Sequence, residues 1–171
     1  MPYSLIKHLG YTVWATTKLS QILENLNESL LKKETPSSFN TIEKTVLHIW
    51  DADLVWFRRL QGESLTEWPS KDFKGNKIVL LAGWLQNTKD LKDFIASQGD
   101  EYLRSQVNYK NTSGVPYSNT VEEIIYHVVN HGTFHRGQII TMLRANGITE
   151  LAGNEVLSST DLITYLRAVA T

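Results

Sequence analysis

No cysteine occurs among the 171 residues. Disulfides, thiolate zinc sites and thiol nucleophiles are thereby excluded, leaving histidine and the carboxylates as the strong metal ligands. An excess of one charge is also missing. The 17 basic and 18 acidic residues give a formal net charge of −1, without the basic stripe of a DNA- or RNA-binding surface. No hydrophobic run approaches the roughly 20 residues that span a bilayer, so no membrane partner is expected. The start, Met1-Pro2-Tyr3-Ser4-Leu5, lacks the basic segment and apolar stretch of a signal peptide, and a cytoplasmic protein is the expectation. No low-complexity tract or internal repeat divides the chain, and its 42% hydrophobic content suffices for one domain, 1–171, with a substantial core.

What is present is helical periodicity. Leu5, Leu9, Thr12, Thr16, Leu19, Leu23, Leu26 and Leu30 advance by threes and fours, which predicts a first helix over 4–31, broken by Pro36 and Ser37-Ser38. Asn40 or Thr41 is the expected cap of a second helix over 42–61, with Asn40 and Glu43 spaced as a capping box, and Gly62 ends it. The 63–75 segment, with Trp68-Pro69, reads as a loop. Asn76 is placed to cap a third helix with Leu81, Trp84, Thr88, Leu91 and Ile95 on its inner face, ending near Gly99. Turn residues Asn111 to Gly114 between two β-prone stretches suggest a small hairpin. Asn119-Thr120 opens a fourth helix, which runs to Asn146 and stops at Gly147, and a short last helix is expected from Ser159 or Thr160 to Ala170. The sum is an all-α, antiparallel four-helix bundle with a long second crossover and a short C-terminal helix.

The fourth helix carries the chemistry. Its inner seam reads Val121, Ile124, Val128, His131, His135, Gln138, Met142, Ala145, with polar residues in the middle of an apolar stripe. Unpartnered buried polar groups cost on the order of 1–3 kcal/mol each, and a metal ion would satisfy a ring nitrogen from each histidine. Residues four apart lie about 6 Å apart along one helix face, within reach of one ion at bonds of about 2.0–2.1 Å. Bonds to backbone or water are the alternative for such a pair. His127 extends the row, but three histidines so spaced span about 12 Å, too far for one ion. The pair His131 and His135 shares the seam, and His127 falls on its flank.

His48 sits in Thr45-Val46-Leu47-His48-Ile49-Trp50-Asp51-Ala52-Asp53, with small neighbours at Ala52 and Val55. A facing helix could deliver it to the pair, making three neutral nitrogens with an open position, the coordination of a reactive site. Asp51 and Asp53 could accept from a ligand histidine or could be solvated charges. Gln138, one turn past His135, could steady a ligand, contact a substrate or bond to backbone. Gly137 is read as permitting close helix approach, and His8 as a surface or capping residue. Trp50 or Trp56 could wall a pocket.

The stretch from His48 to Trp56 and the run His127-Val-Val-Asn-His131-Gly-Thr-Phe-His135-Arg-Gly-Gln138 resemble the DinB family, and the similarity extends from Tyr11-Thr12-Val13-Trp14 to Gly147. The family is unrelated to the DNA polymerase that shares part of its name. The resemblance implies a DinB/YfiT-type four-helix bundle, commonly a homodimer, that binds a divalent metal through His48, His131 and His135, with His127 outside the triad. Zinc or nickel is the foremost expectation, with iron compatible. Some such proteins are transferases or isomerases that use a low-molecular-weight thiol such as bacillithiol or mycothiol, and a chain without cysteine is compatible with an external thiol. The expectation is therefore a metal-dependent thiol transferase acting on a small molecule. A non-enzymatic metal-binding or stress-response protein with a structural metal, or a metal-dependent hydrolase, are the alternatives. No general base stands at a diagnostic spacing, and no specific substrate is legible.

Overall fold

The structure, a computed structural model, describes residues 5–149 and 160–170. Four long helices form it: α1 (Leu5–Glu24), α3 (Ile42–Leu60), α4 (Lys77–Ala96) and α6 (Val121–Ala145). Between them lie the short α2 (Glu28–Leu31) and α5 (Asp100–Arg104), and a two-stranded antiparallel hairpin of β1 (Gln106–Lys110) and β2 (Pro116–Thr120); α7 (Leu162–Ala168) follows. No helix among the described residues is long and apolar enough to cross a membrane.

Most helix ends follow their expected chemistry. Asn76 Oδ1 accepts the Val79 N–H at 3.1 Å and starts α4. Thr120 and Glu123 form a reciprocal capping box at the start of α6, with N–H to side-chain distances of 2.9 and 3.2 Å. Gly62 and Gly147, at φ of +87° and +80°, follow the ends of α3 and α6, a backbone conformation that favours glycine. The hairpin forms where the turn residues placed it, with Gly114 at φ +81°.

One end differs from the sequence reading, and another decides between its two candidate caps. The first helix stops at Glu24, because Lys77 Nζ donates to the carbonyls of Glu24 and Leu26 at 2.7 and 2.6 Å and Asn27 caps a separate turn by accepting the Ser29 N–H at 2.9 Å. The leucine period continues across the break, so periodicity alone does not reveal it. The second helix is capped by Thr41, whose hydroxyl accepts the Lys44 N–H at 3.1 Å. Asn40 has φ +59° and no capping box with Glu43. Of the last helix, a Ser159 start lies outside the described residues.

In cross-section the helices run in the order α1, α4, α3, α6 and back to α1, so α1 and α3, joined by the first connection, stand diagonally opposite. One apolar cluster joins Leu19, Leu23, Ile42, Val46, Ile49, Leu80, Trp84, Ile139 and Leu143. The other joins Leu5, Leu9, Leu60, Leu91, Ile95, Val121 and Ile125. The first thus collects the starts of α3 and α4 with the ends of α1 and α6. The antiparallel pairs are α1 with α4 and α3 with α6, whereas α3 and α4 run the same way. The 61–76 segment must therefore travel back along the bundle, which stretched chain can do because it rises over 3 Å per residue against 1.5 Å in a helix. Its 3-10 turn, Pro69–Asp72, packs on α3 on the way.

Between the two apolar clusters lies a polar waist. Tyr11, Thr12 and Thr16 of α1, Asp53 of α3, Asn87 and Thr88 of α4, and His135 and Arg136 of α6 are all buried there. The candidate site stands at this level.

Candidate metal centre

Helices α3 and α6 cross the waist side by side and bring His48, His131 and His135 together: one ring nitrogen from each lies within 4.8 Å of the other two. His48 Nε2 and His131 Nε2 stand 3.0 Å apart. Two imidazole nitrogens on one tetrahedral ion would be about 3.3 Å apart, given bonds of about 2.0–2.1 Å. His135 contributes Nε2, because its Nδ1 is 2.8 Å from Gln138 Oε1. An amide oxygen only accepts, so Nδ1 carries the proton and the Nε2 lone pair is free. Gln138 is itself held, its Nε2 donating to Ser38 Oγ at 2.9 Å.

Burial keeps His48 and His131 neutral. It pulls the His48 imidazole down to about 4, with His135 adding to the effect. His131 falls to about 3, again mainly through burial, with His135, His48 and His127 disfavouring a further positive charge. His131 Nδ1 is buried without a partner. Convergent imidazole nitrogens, neutral at His48 and His131, form a donor set that suits a divalent cation. Among the described residues no fourth histidine or carboxylate joins the group.

Aromatic rings close the surroundings. Phe39 stacks on His48 at 4.1 Å and meets His135 at 5.6 Å. Phe134, 62% exposed, sits edge-on to His135. His127 is exposed, its ring against Trp56 at 5.1 Å and His131 at 5.7 Å, so it flanks the triad without joining it. Trp56 thereby walls His127 rather than a ligand, and its face carries the Arg59 guanidinium at 4.4 Å. His8 lies half-buried on α1, its ring edge-on to Tyr126.

The seam of α6 is rotated from the sequence reading. Its buried face is Val121, Ile124, Ile125, Val128, Val129, Gly132, His135, Arg136, Ile139, Met142 and Leu143, while Ala145 is exposed and His131 and Gln138 lie at the margin. Ile125, Val129, Ile139 and Leu143 shift the apolar centre by about one residue, which turns the histidines from the middle of the core to its edge. There His131 gains access to solvent, while His135 stays buried.

Arg136 takes the interior place. Its Nη2 donates to Thr133 Oγ1 at 2.9 Å, and its guanidinium lies 5.6 Å from the Tyr11 ring. Gly132 makes room for it, since a Cβ there would come within 2.9 Å of Arg136 Nη1. Gly137 does not provide close approach: a Cβ there would meet nothing within 4 Å. Asp53, 3% exposed, faces Arg136 rather than a ligand histidine, and burial pushes its carboxyl up to about 7 against the pull of Arg136 and the Trp84 indole. Asp51 is buried as well. Both its oxygens accept from Ser70, from the N–H at 2.7 Å and from the hydroxyl, which ties the 61–76 crossover to α3. An arginine inside an apolar seam, three residues from a threonine and four from a glycine, is the signal that could have marked this interior cluster.

A cleft of 590 Å³ opens beside the triad, between the first turns of α3 and the crossover, with Phe39, Leu47, His48, Asp51 and Trp68 among its walls. Trp50 is not one of these; it packs on Phe73 and over Gly83.

Known proteins share this architecture. Protein DinB of Bacillus subtilis (strain 168) is 28% identical over 152 residues, covering 80% of this chain and 83% of that one. The uncharacterized protein YizA of the same organism is 27% identical over 118 residues, 68% of this chain and 71% of that one. Among solved structures, YfiT from Bacillus subtilis, described as a probable metal-dependent hydrolase with an unusual four-helix bundle topology, superposes with a TM-score of 0.68. It shares 15% identity over 86% of this chain and 90% of YfiT. A DinB-like protein from Bacillus cereus ATCC 10987 gives a TM-score of 0.61 at 19% identity, covering 82% and 91% of the two chains. These likenesses fix the fold, and the model of the DinB family matches residues 1–160. The chain belongs to the DinB family.

Proposed function

We propose that this protein is a divalent-metal enzyme acting on a small molecule, with His48, His131 and His135 holding the ion through their Nε2 atoms. The observation that supports the reading best is the convergence of three imidazoles without a fourth protein ligand among the described residues, at the margin of the core beside a cleft. A structural ion would be enclosed by four protein ligands, so the open set favours turnover over a merely structural metal. Zinc or nickel fits three imidazoles, and iron is compatible. A cation so held supplies Lewis acidity and lowers the pKa of a thiol or water brought to it. The chain's own part is to present the nitrogens, to fix the His135 tautomer through Gln138, and to shield the site with Phe39 and Phe134.

In its finer form the proposal is a transferase for a low-molecular-weight thiol. The thiol loses its proton, its sulfur forms a bond to an electrophilic carbon, and the leaving group departs with the bonding electrons. The nucleophilic sulfur has to come from outside, because the chain has no cysteine. Hydrolysis is the second reading, favoured by the shared fold with YfiT and its description. The homodimer and the cytoplasmic setting expected from the sequence belong to the same proposal. The exposed Tyr126 and Phe134 on the outer face of α6 support the dimer.

Elemental analysis of untagged protein is expected to find about one divalent ion per chain, lost in His48→Ala, His131→Ala and His135→Ala. A panel of small thiols with an electrophilic fluorogenic bimane, run beside simple esters and amides, separates the two reactions. Equal turnover by wild type and His131→Ala would reject both. Absence of metal from protein that also fails to bind added zinc or nickel would reject the centre itself.

A further inference from the structure

One ammonium on the wall of the cleft beside the triad has no partner among the described residues. Four charged side chains stand on its walls: Lys44, Asp51, Glu67 and Lys71. Lys71 Nζ and Glu67 Oε1 neutralise each other at 2.7 Å. Both oxygens of Asp51 are engaged by Ser70. The Lys44 ammonium has neither an ion pair nor a hydrogen bond among the described residues. It is exposed, in the first turn of a 19-residue helix, where the free N–H groups of the helix start add to positive potential. Lys44 and His48 are four apart on α3, hence on one face and about 6 Å apart along the axis. The rest of the wall is apolar: Phe39 stacks on His48, Leu47 lies between the two charged turns, and the half-exposed Trp68 comes across from the crossover.

We propose that this cleft is the substrate-binding site and that it selects small monoanions with an aromatic body, the arylalkyl carboxylates, seating the ring against Phe39 and Trp68 and the carboxylate on Lys44. The proposal rests on the metal-enzyme reading for its reaction, but every recognition contact comes from the chain itself. The cleft volume of 590 Å³ lies in the range that accommodates a small organic ligand. A cationic counterpart meets the unpaired Lys44 and finds no free carboxylate, since Asp51 and Glu67 are both engaged. Charge selection therefore rests on Lys44, the charged group on the wall without a partner.

The test is calorimetric titration of the protein as purified, of known metal content, with 4-phenylbutyrate, 4-phenylbutylamine and 4-phenylbutanol. The acid is expected to bind about fivefold or more tightly than the amine, with a preference that shrinks as salt is raised. Lys44→Gln, at an exposed position, is expected to abolish most of that preference without shifting Tm. Trp68→Ala is expected to weaken acid and alcohol alike. Equal binding of acid and amine, or an unchanged preference in Lys44→Gln, overturns the assignment. The same titrations after chelation separate the two claims. A preference that survives chelation and depends on Lys44 supports the cleft even if no metal centre exists. A preference that vanishes with the metal and is the same in Lys44→Gln means that the metal reads the carboxylate, which overturns the role of Lys44.

Discussion

The histidine triad and the Asp53–Arg136 cluster lie within about a turn and a half of one another on α3 and α6, and burial acts on the two in opposite senses. In the triad it strips the charge from bases: His48 and His131 are held at about 4 and about 3, so both turn neutral nitrogens to the point that His135 also faces. In the waist it works on an acid and a guanidinium that each sense the other's charge; Asp53 rises to about 7 and Arg136 is lowered. The first region, at the core margin, brings three ring nitrogens together with no charged partner among the described residues. The second has its cation built in, at Arg136, with no solvent access. A polar group inside a bundle can thus either wait for a ligand or fix the packing, and depth decides which. One residue of helical rotation separates His135 from Arg136, and so one role from the other.

The comparison breaks most visibly at Arg136. Arg136→Ala removes the internal cation and leaves a void over Gly132. It is expected to cost about 3 kcal/mol, read by urea denaturation, while His131→Ala in metal-free protein costs far less. A similar loss from both variants would erase the distinction between packing and ligand site.

Gln138→Leu addresses the triad alone. Without the oxygen that accepts from His135 Nδ1, the ring is free to protonate Nε2 instead, and metal affinity is expected to fall about 10- to 100-fold with little change in metal-free stability. Competition against a chelator of known affinity measures it, and undiminished affinity would show that Gln138 does not orient the ring.

The two glycines of the motif are expected to diverge. Gly132→Ala drives a Cβ into the Arg136 guanidinium and should destabilise by about 1–2 kcal/mol, whereas Gly137→Ala has open space and should stabilise by up to about 1 kcal/mol. Thermal melts of both variants decide the point.

The smallest effect concerns pH in metal-free protein. As pH falls below about 6.5 the unfolded chain takes up the histidine protons before the folded one, so stability drops toward acid. As pH rises above about 4 the unfolded chain ionises Asp53 before the folded one does, so that residue's contribution drops toward neutrality. The two slopes oppose each other between about pH 4.5 and 6.5. In Asp53→Asn that residue's opposing slope is gone, and Tm should climb with pH across that window by a few degrees relative to wild type. Parallel curves for the two proteins would show that Asp53 is not shifted as described.

Much of this was legible in the chain. Three- and four-residue periodicity set the four long helices, and Asn76, Thr120, Gly62 and Gly147 marked their ends because capping chemistry is local. The HxxxH spacing and His48 could be joined before any geometry was known. What stayed hidden depended on distant partners. Lys77 ends α1 from the start of another helix, Asn40 yields the cap to Thr41, and the α6 stripe turns by one residue to match its neighbours. The same turn hides Arg136, whose burial is intelligible only beside Asp53 and above Gly132. Periodicity names a helix face to within about a residue, and here a residue separates the core from its edge.

The crossover that returns along α3 has a consequence of its own. It carries Trp68 and Ser70 to the cleft, yet it is tied to the bundle mainly through the Asp51–Ser70 bonds and the packing of Phe73 on Trp50. Lengthening such a strap costs little, about 0.6 kcal/mol of closure entropy per doubling. A segment so placed can change in length and composition while α3 and α6 hold the histidines where they are.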